Sequence, residues 1–225
     1  MIALDSNPIL IDRVYGALRD AIADCTLEPG SRVRQSEIAE RLGVSRQPVS
    51  HALHLLKRQG LVEDHGRKGF RVVRIDPARI AHLYEIRAAL DALAARLAAN
   101  RAGSDAAGRA ELSSALEAGL AADPATTAMP AMIRLDIEFH RAVYRLSGNP
   151  AFEEMVGPYW PHLGRAMASM LDATEDRGTL WSEHAEIARH VLAGESAAAE
   201  AAARHHVRAA ARRAQDRLEA TARAA

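Results

Sequence analysis

The residues of this chain best suited to hold a metal ion lie in its C-terminal half. Asp136 and His140 are four residues apart, so their side chains share one face if the segment is helical. His184 and His206 follow in segments that also carry helical periodicity. One carboxylate and three imidazoles from three helices would suit Zn²⁺, Ni²⁺ or Mn²⁺. Surface Asp–His pairs and structural histidines show the same spacing, so spacing alone leaves both interpretations open.

A second group of residues could read DNA. Two short helices are predicted around a tight turn at Gly43, with Ser36 capping the first helix and Ser45 capping the second. In the second helix, one face is apolar at i, i+3, i+4, i+7 spacing: Val49, Ala52, Leu53 and Leu56. The other face carries polar side chains: Arg46, Gln47, Ser50 and His54. Donors that begin at a helix N-terminus can reach base edges in the major groove.

Two predicted strands, 61–64 and 70–74, follow this pair of helices and flank a basic turn at 65–69. Helix-turn-helix plus such a hairpin is a winged helix; the alternative is a small αα-hairpin with ordinary solvated charges. From Ser31 to Arg74 the sequence holds ten Lys or Arg and four Asp or Glu, an excess of 10 − 4 = +6 in a chain of net charge zero. This local excess favours the winged helix, because it suits contact with phosphates.

The rest of the sequence predicts a mainly α protein of two domains. A first helix is expected at 9–24, and Pro77 marks the boundary between domains at 1–76 and 77–225. The second domain shows no strand signal and is predicted to be an all-α bundle of about six helices, at 78–100, 105–121, 127–147, 150–172, 178–193 and 196–222.

Composition excludes several other classes of protein. No apolar run is long enough to span a membrane, and nothing at the N-terminus resembles a signal peptide. A single cysteine, Cys25, excludes an internal disulfide framework and fits a reducing cytoplasm, where we expect the protein to act. With 4% aromatic residues, a base-stacking surface for single strands is disfavoured.

The N-terminal motifs closely resemble the DNA-binding domain of GntR-family transcription regulators. The resemblance is carried by Pro29-Gly30, by the run from Glu37 to Val49, by Ala52-Leu53 and by Gly60-Leu61-Val62. It implies that Arg46 contacts bases and that the wing tip enters the minor groove. Ser50-His51 departs from the usual Arg-Glu, and Ser36 replaces a frequent basic residue, so the operator sequence does not transfer. The expected DNA contacts are Arg34, Ser36, Ser45, Arg46, Gln47, Ser50, His54, His65, Gly66, Arg67 and Lys68.

The C-terminal half resembles the FCD ligand-binding domain of the FadR subfamily. The matching motifs are the segment 83–90, Asp136-x₂-Phe139-His140, the segment 147–150, and Glu183-His184-x₂-Ile187. Many such domains bind a divalent metal through an Asp-x₃-His pair and two later histidines. The resemblance therefore implies a site made of Asp136, His140, His184 and His206, holding Zn²⁺ or alternatively Ni²⁺ or Mn²⁺. His206 is preferred to His205 because it precedes an apolar residue, as the family's ligand does.

A metal ion in such a bundle could bind the carboxylate of an organic acid, with an arginine as its second partner. Arg87 is the first candidate for that arginine, and its alternative role is an interhelical salt bridge. Arg134 and Asn149 are further candidates for effector contact. Tyr159, Trp160 and Trp181 are expected to be core residues.

Together these features predict a ligand-responsive regulator rather than an enzyme. We expect a repressor that binds a pseudo-palindromic operator in double-stranded DNA as a homodimer and responds to a small carboxylic acid. One alternative is a metal-dependent enzyme with an accessory basic domain, but no separate base, nucleophile or cofactor loop accompanies the Asp/His set. The other is a regulator with an apolar acyl pocket and no metal, which the histidines disfavour.

Overall fold

The computed structural model describes residues 8–66, 69–170 and 174–224. The chain divides into two compact units between Ile75 and Asp76, one residue before the boundary drawn from the sequence. The N-terminal unit combines three helices with a small sheet, and the C-terminal unit is helical. The predicted fold class, a winged helix-turn-helix followed by a helical bundle, is confirmed.

The N-terminal unit contains three helices and three short strands. In chain order they are α1 (Pro8–Ala23), β1 (Arg32–Val33), α2 (Gln35–Leu42), α3 (Arg46–Arg58), β2 (Val62–His65) and β3 (Gly69–Val72). The sheet is antiparallel with β3 between β1 and β2. The hairpin of β2 and β3 is the predicted wing, whereas β1 was not predicted.

The apolar face of α3 holds this unit together. Val49, Ala52, Leu53 and Leu56 have no exposed surface, as their helical spacing predicted. They join the inward faces of α1 and of the sheet in one core cluster. Because that face is used for packing, the opposite face of α3 is left for other contacts.

The start of α2 corrects one prediction. The extended backbone of β1 continues into Arg34, which occupies the cap position, so α2 begins at Gln35 and Ser36 lies inside its first turn. The capping role predicted for Ser36 is therefore wrong. Ser45 does occupy the cap position of α3, but its hydroxyl makes no capping hydrogen bond. Gly43 ends α2 as predicted, in the left-handed conformation (φ 64°) that favours glycine.

The C-terminal unit contains seven described α-helices. They are α4 (Pro77–Ala102), α5 (Ala106–Leu120), α6 (Met129–Ser147), α7 (Ala151–Val156), α8 (Trp160–Met170), α9 (Thr174–Leu192) and α10 (Ser196–Ala224). Helix α4 packs most extensively against α10. Their buried alanines include Ala92, Ala95, Ala199 and Ala203, small side chains that allow the two backbones to approach closely.

The single helix predicted over 150–172 is wrong. The structure breaks it into α7, a 3-10 turn at Gly157–Tyr159, and α8. Pro158 in that turn has no backbone N–H to donate, which explains the break. Trp160 is buried as expected. Tyr159 is 43% exposed and lines an apolar pocket of about 330 Å³, so the core prediction for Tyr159 is also wrong.

Candidate metal centre and nucleic-acid interface

Three helices of the C-terminal unit bring the four predicted ligands together. Asp136 and His140 lie one turn apart on α6, His184 on α9 and His206 on α10. One ligand atom from each lies within 4.8 Å of the others, and all four residues are at most 3% exposed. His205 is exposed beside the buried His206, as expected from the rotation of about 100° per residue in a helix.

The distances between these atoms fit a metal ion. The Nε2 atoms of His140 and His184 are 3.3 Å apart, and Asp136 Oδ1 is 3.4 Å from His184 Nε2. Two ligands of a tetrahedral zinc ion, each about 2.0 Å from the metal, would lie about 3.3 Å apart. The other oxygen of Asp136 is buried and has no hydrogen-bond partner among the described residues. A buried anionic oxygen facing imidazole nitrogens fits a cation.

Two further carboxylates hold the outer nitrogens of these histidines. His140 Nδ1 lies 3.1 Å from Asp91 Oδ2, and His206 Nδ1 lies 2.6 Å from Glu183 Oε2. A proton held on Nδ1 leaves the lone pair on Nε2, the nitrogen available to a metal. Sequence reasoning missed both roles. Glu183 directly precedes His184, and Asp91 lies one helical turn after Arg87, but neither spacing reveals its histidine.

Burial sets the protonation of the site. It lowers the pKa of His140 to about 4, holds the pKa of His184 well below its usual range, and lowers the pKa of His206. These imidazoles are therefore neutral near pH 7, which is the form that binds a metal. Burial also raises the pKa of Asp136 to about 6, against the attraction of the Arg87 charge.

The two outer carboxylates are kept ionised by their partners. Burial alone would raise the pKa of Asp91, but Arg87 and His140 together lower it to about 2. Burial would likewise raise the pKa of Glu183, but hydrogen bonds from His206 and Arg213 lower it to about 2. Both side chains therefore accept hydrogen bonds as carboxylates throughout the physiological range.

The three predicted effector contacts lie in different surroundings. Arg87 is buried, its Nε lies 3.2 Å from Asp91 Oδ2, and its guanidinium carbon lies 4.7 Å from the centre of the Trp160 ring. The salt bridge is thus within α4 and not between helices as the alternative had it. Arg134 is exposed two residues from Asp136, and the exposed Asn149 accepts a hydrogen bond from the N–H of Ala151. Neither belongs to the buried cluster, so their contact with an effector stays a prediction.

In the N-terminal unit, most of the predicted DNA contacts lie at the surface. Exposed side chains are those of Arg34, Ser36, Ser45, Arg46, Gln47, His54 and His65, with Gly66 beside them and Ser50 half-buried. Two of them have other contacts: Arg34 pairs with Glu37 at 2.7 Å, and the His54 ring meets the Phe70 ring edge-on at 5.4 Å. The predicted contacts of Arg67 and Lys68 lie outside the described residues.

The start of α3 carries a positive charge, because the nearby acids that form ion pairs do so with other bases. The acids Glu37, Glu63 and Asp64 each pair with a base: Arg34, Arg71 and Lys57. Within the described part of the chain, no ion pair is formed by Arg46, the first residue of α3. An unpaired guanidinium at the start of a helix, where backbone N–H groups also point outward, is suited to a base edge or a phosphate.

The N-terminal unit is a winged helix with an exposed polar face on α3, and the helical C-terminal unit holds a buried Asp/His cluster. This architecture is typical of ligand-responsive transcription regulators. Comparison with known families gives the particular one: residues 10–72 match the gntR family of bacterial regulatory proteins, and residues 82–209 match the FCD domain. The chain belongs to the GntR family and carries an FCD domain. FCD domains are known to bind metals, and GntR regulators bind operator DNA and typically act as dimers.

Individual relatives agree with this assignment. An uncharacterised HTH-type regulator of an unstable DNA locus in Streptomyces ambofaciens is 33% identical over 87% of this chain and 81% of its own. The HTH-type regulator Rv0494 of Mycobacterium tuberculosis is 31% identical over 90% of this chain and 88% of its own. A crystal structure of a GntR regulator from Rhodococcus sp. RHA1 superimposes with a TM-score of 0.78 at 25% identity, covering 91% of this chain and 96% of that one.

These relatives are transcription regulators and not enzymes, which removes the enzyme alternative. None of the described helices combines the length and the apolar composition that a membrane span requires.

Proposed function

We propose that this protein is a repressor that binds a pseudo-palindromic operator as a homodimer and responds to a small organic acid at a metal-containing pocket. The observation that carries the proposal is the convergence of Asp136, His140, His184 and His206 in the buried interior of the C-terminal unit. An α-helical core gains little from three neutral imidazoles facing one carboxylate unless a cation joins them.

DNA is read by α3 and the wing. Arg46 begins α3, is exposed, and can form two hydrogen bonds to a guanine edge. The remaining contacts from α2, α3 and the hairpin are proposed to position the unit on the phosphate backbone. Since one recognition helix covers only a few base pairs, a two-fold homodimer that joins two half-sites is needed for tight specific binding.

The divalent ion would be held by Asp136, His140, His184 and His206. Zinc is the first choice, and nickel or manganese are the alternatives. Such an ion supplies a Lewis-acidic position for a carboxylate. The side chain that would meet the same carboxylate is Arg87. Its Nη2 is buried without a hydrogen-bond partner among the described residues, so a donor is available next to the site.

The effect of a bound acid would reach the DNA-binding unit through the polypeptide chain itself. Helix α4 begins at Pro77, immediately after the division between the units, and also carries Arg87 and Asp91. An acid bound to Arg87 therefore acts on the helix that leads directly to the winged helix. It changes operator affinity only as far as it binds one arrangement of the protein better than the other.

Adjacent histidines on α10 allow a matched test. The protein would select an operator from a library of random duplexes, and its affinity would be measured with and without a panel of small carboxylic acids. We expect His206→Ala to lose its metal and its response to the acid while keeping basal operator binding. The exposed neighbour supplies the control, because His205→Ala should behave like the unmodified protein. A His206→Ala protein with its metal and full response would contradict the proposal.

A further inference from the structure

Two chains of hydrogen bonds with the same chemistry end on the metal centre. The first, here called the Asp91 relay, consists of Arg87, Asp91 and His140. Arg87 Nε lies 3.2 Å from Asp91 Oδ2, and the same oxygen lies 3.1 Å from His140 Nδ1. The hydroxyl of Tyr144 donates to the other oxygen of Asp91. Each oxygen of this buried carboxylate thus has a donor.

The second chain, here called the Glu183 relay, consists of Arg213, Glu183 and His206. Arg213 donates from Nη1 and Nη2 to the two oxygens of Glu183, each at 2.9 Å. One of these oxygens also lies 2.6 Å from His206 Nδ1. The two relays therefore share one design, although α4 supplies the first carboxylate and α9 the second.

The third histidine provides an internal contrast. His184 has no exposed surface, and its Nδ1 has no hydrogen-bond partner in the described part of the chain. Its ring is held instead by packing, with the Phe139 ring centre at 4.3 Å and the Trp181 ring centre at 4.8 Å. Packing fixes the plane of a ring but does not decide which nitrogen carries the proton.

We propose that Asp91 and Glu183 are positioning residues of the metal centre, each fixing the proton of one histidine on Nδ1 and directing its Nε2 lone pair to the ion. The proposal rests on the metal site of the proposed function and adds the residues that set its affinity. A carboxylate behind an imidazole raises the basicity of the nitrogen that binds the metal and holds the ring in place. The arginine behind each carboxylate balances its charge in the interior.

The test is the affinity for Zn²⁺, measured by competition with a chromophoric chelator. Asp91→Asn and Glu183→Gln keep the size of each side chain but remove its charge. Both should weaken zinc binding by about 10- to 100-fold, the usual effect of losing such a partner. The control is Glu153→Gln, because Glu153 pairs with Arg141 at 3.0 Å and forms no ion pair with a histidine among the described residues. Its zinc affinity should equal that of the unmodified protein.

A second readout separates positioning from a general loss of structure. In the metal-free protein, ¹⁵N NMR of the histidine rings should show His140 and His206 protonated on Nδ1. Each substitution should change the tautomer of its own histidine only. Glu183 is 15% exposed at its side chain, so Glu183→Gln decides the matter alone if Asp91→Asn does not fold.

The outcomes distinguish the two proposals. An unmodified protein that binds no zinc, nickel or manganese would contradict the metal site of the proposed function. An unmodified protein that binds zinc, with unchanged affinity and unchanged tautomers in Asp91→Asn and Glu183→Gln, would overturn the positioning proposal and leave the metal site standing.

Discussion

The two units of this protein place their charged groups in opposite ways. Among the described residues, every buried arginine, aspartate and histidine lies in the C-terminal unit, whereas the N-terminal unit keeps its charges at the surface. In the proposed function, the surface charges of α3 contact DNA, a partner outside the protein. The buried groups around Asp136 converge on one point inside the protein. The first kind of site depends on local spacing, and the second depends on the whole bundle.

The N-terminal core also differs from the contact between α4 and α10 in the C-terminal unit. Large aliphatic side chains such as Leu53 and Leu56 fill the N-terminal core. The contact between α4 and α10 is lined by alanines, including Ala95 and Ala203. The small N-terminal unit is built around one helix, so large side chains are needed to fill its core. The long helices α4 and α10 pack through small side chains, which allow their backbones to approach closely.

Removal of the metal should have the largest effect, confined to the C-terminal unit. An ion that binds only the folded state stabilises it by about 4 kcal/mol when its free concentration is about 1,000 times Kd. Both tryptophans of the chain lie beside the centre: Trp181 at 4.8 Å from the His184 ring, and Trp160 at 5.9 Å from the His140 ring. We expect a chelator to lower the Tm followed by tryptophan fluorescence, and added Zn²⁺ to restore it.

The control for this experiment is His184→Ala, which lacks one ligand. The chelator should not shift its fluorescence transition. An equal shift in His184→Ala would show that the chelator acts elsewhere and that this site does not stabilise the C-terminal unit.

Loss of volume should be the severe change in the N-terminal core. Leu53 is fully buried, so Leu53→Ala should cost about 2–5 kcal/mol of unfolding free energy, measured by urea denaturation followed by circular dichroism.

The C-terminal unit should be more sensitive to added volume. In the same urea measurement, Ala95→Leu is expected to cost about 1–3 kcal/mol of unfolding free energy. A neutral Ala95→Leu would mean that α4 and α10 are not closely packed.

Arg46→Ala should weaken binding to the selected operator by about 1–3 kcal/mol, because a two-bond contact to one base is lost. Random duplexes should be affected less, so the ratio of specific to non-specific affinity should fall. Arg46→Lys keeps the positive charge but lacks the planar guanidinium group. Compared with Arg46→Ala, it should therefore regain binding to random duplexes more than preference for the operator. If all three proteins show the same ratio, Arg46 does not read a base.

Helix caps should give the smallest effect. The Asp76 side chain accepts a hydrogen bond from the N–H of Ala78 at the start of α4, at 3.0 Å, so Asp76→Ala should cost about 1 kcal/mol. The Ser45 hydroxyl makes no such bond, and Ser45→Ala should cost less than about 0.5 kcal/mol. Thermal unfolding of both variants tests this, and a larger loss for Ser45→Ala would reverse the assignment of the caps.

Local spacing explains which parts could be predicted from the sequence. The buried face of α3 follows from an i, i+3, i+4, i+7 pattern, and Asp136 with His140 follows from an i, i+4 pair. The strand β1 has only two residues, too few to show alternation. Asp91 and His140 are 49 residues apart and meet only after α4 and α6 pack, so no spacing could reveal their contact. The resemblance to FCD domains indicated the four proposed ligands but not the carboxylates behind them.

The chain order of the four proposed ligands has a consequence for the lifetime of the folded protein. Before the bundle forms, only Asp136 and His140 can meet on a single helix, because His184 lies 44 residues beyond His140 and comes from another helix. The complete set therefore exists only when α6, α9 and α10 are docked. Interactions absent from the folding transition state slow unfolding more than they speed folding. Stopped-flow measurements should thus show zinc acting mainly on the unfolding rate, and an equal acceleration of folding would mean that the centre assembles early.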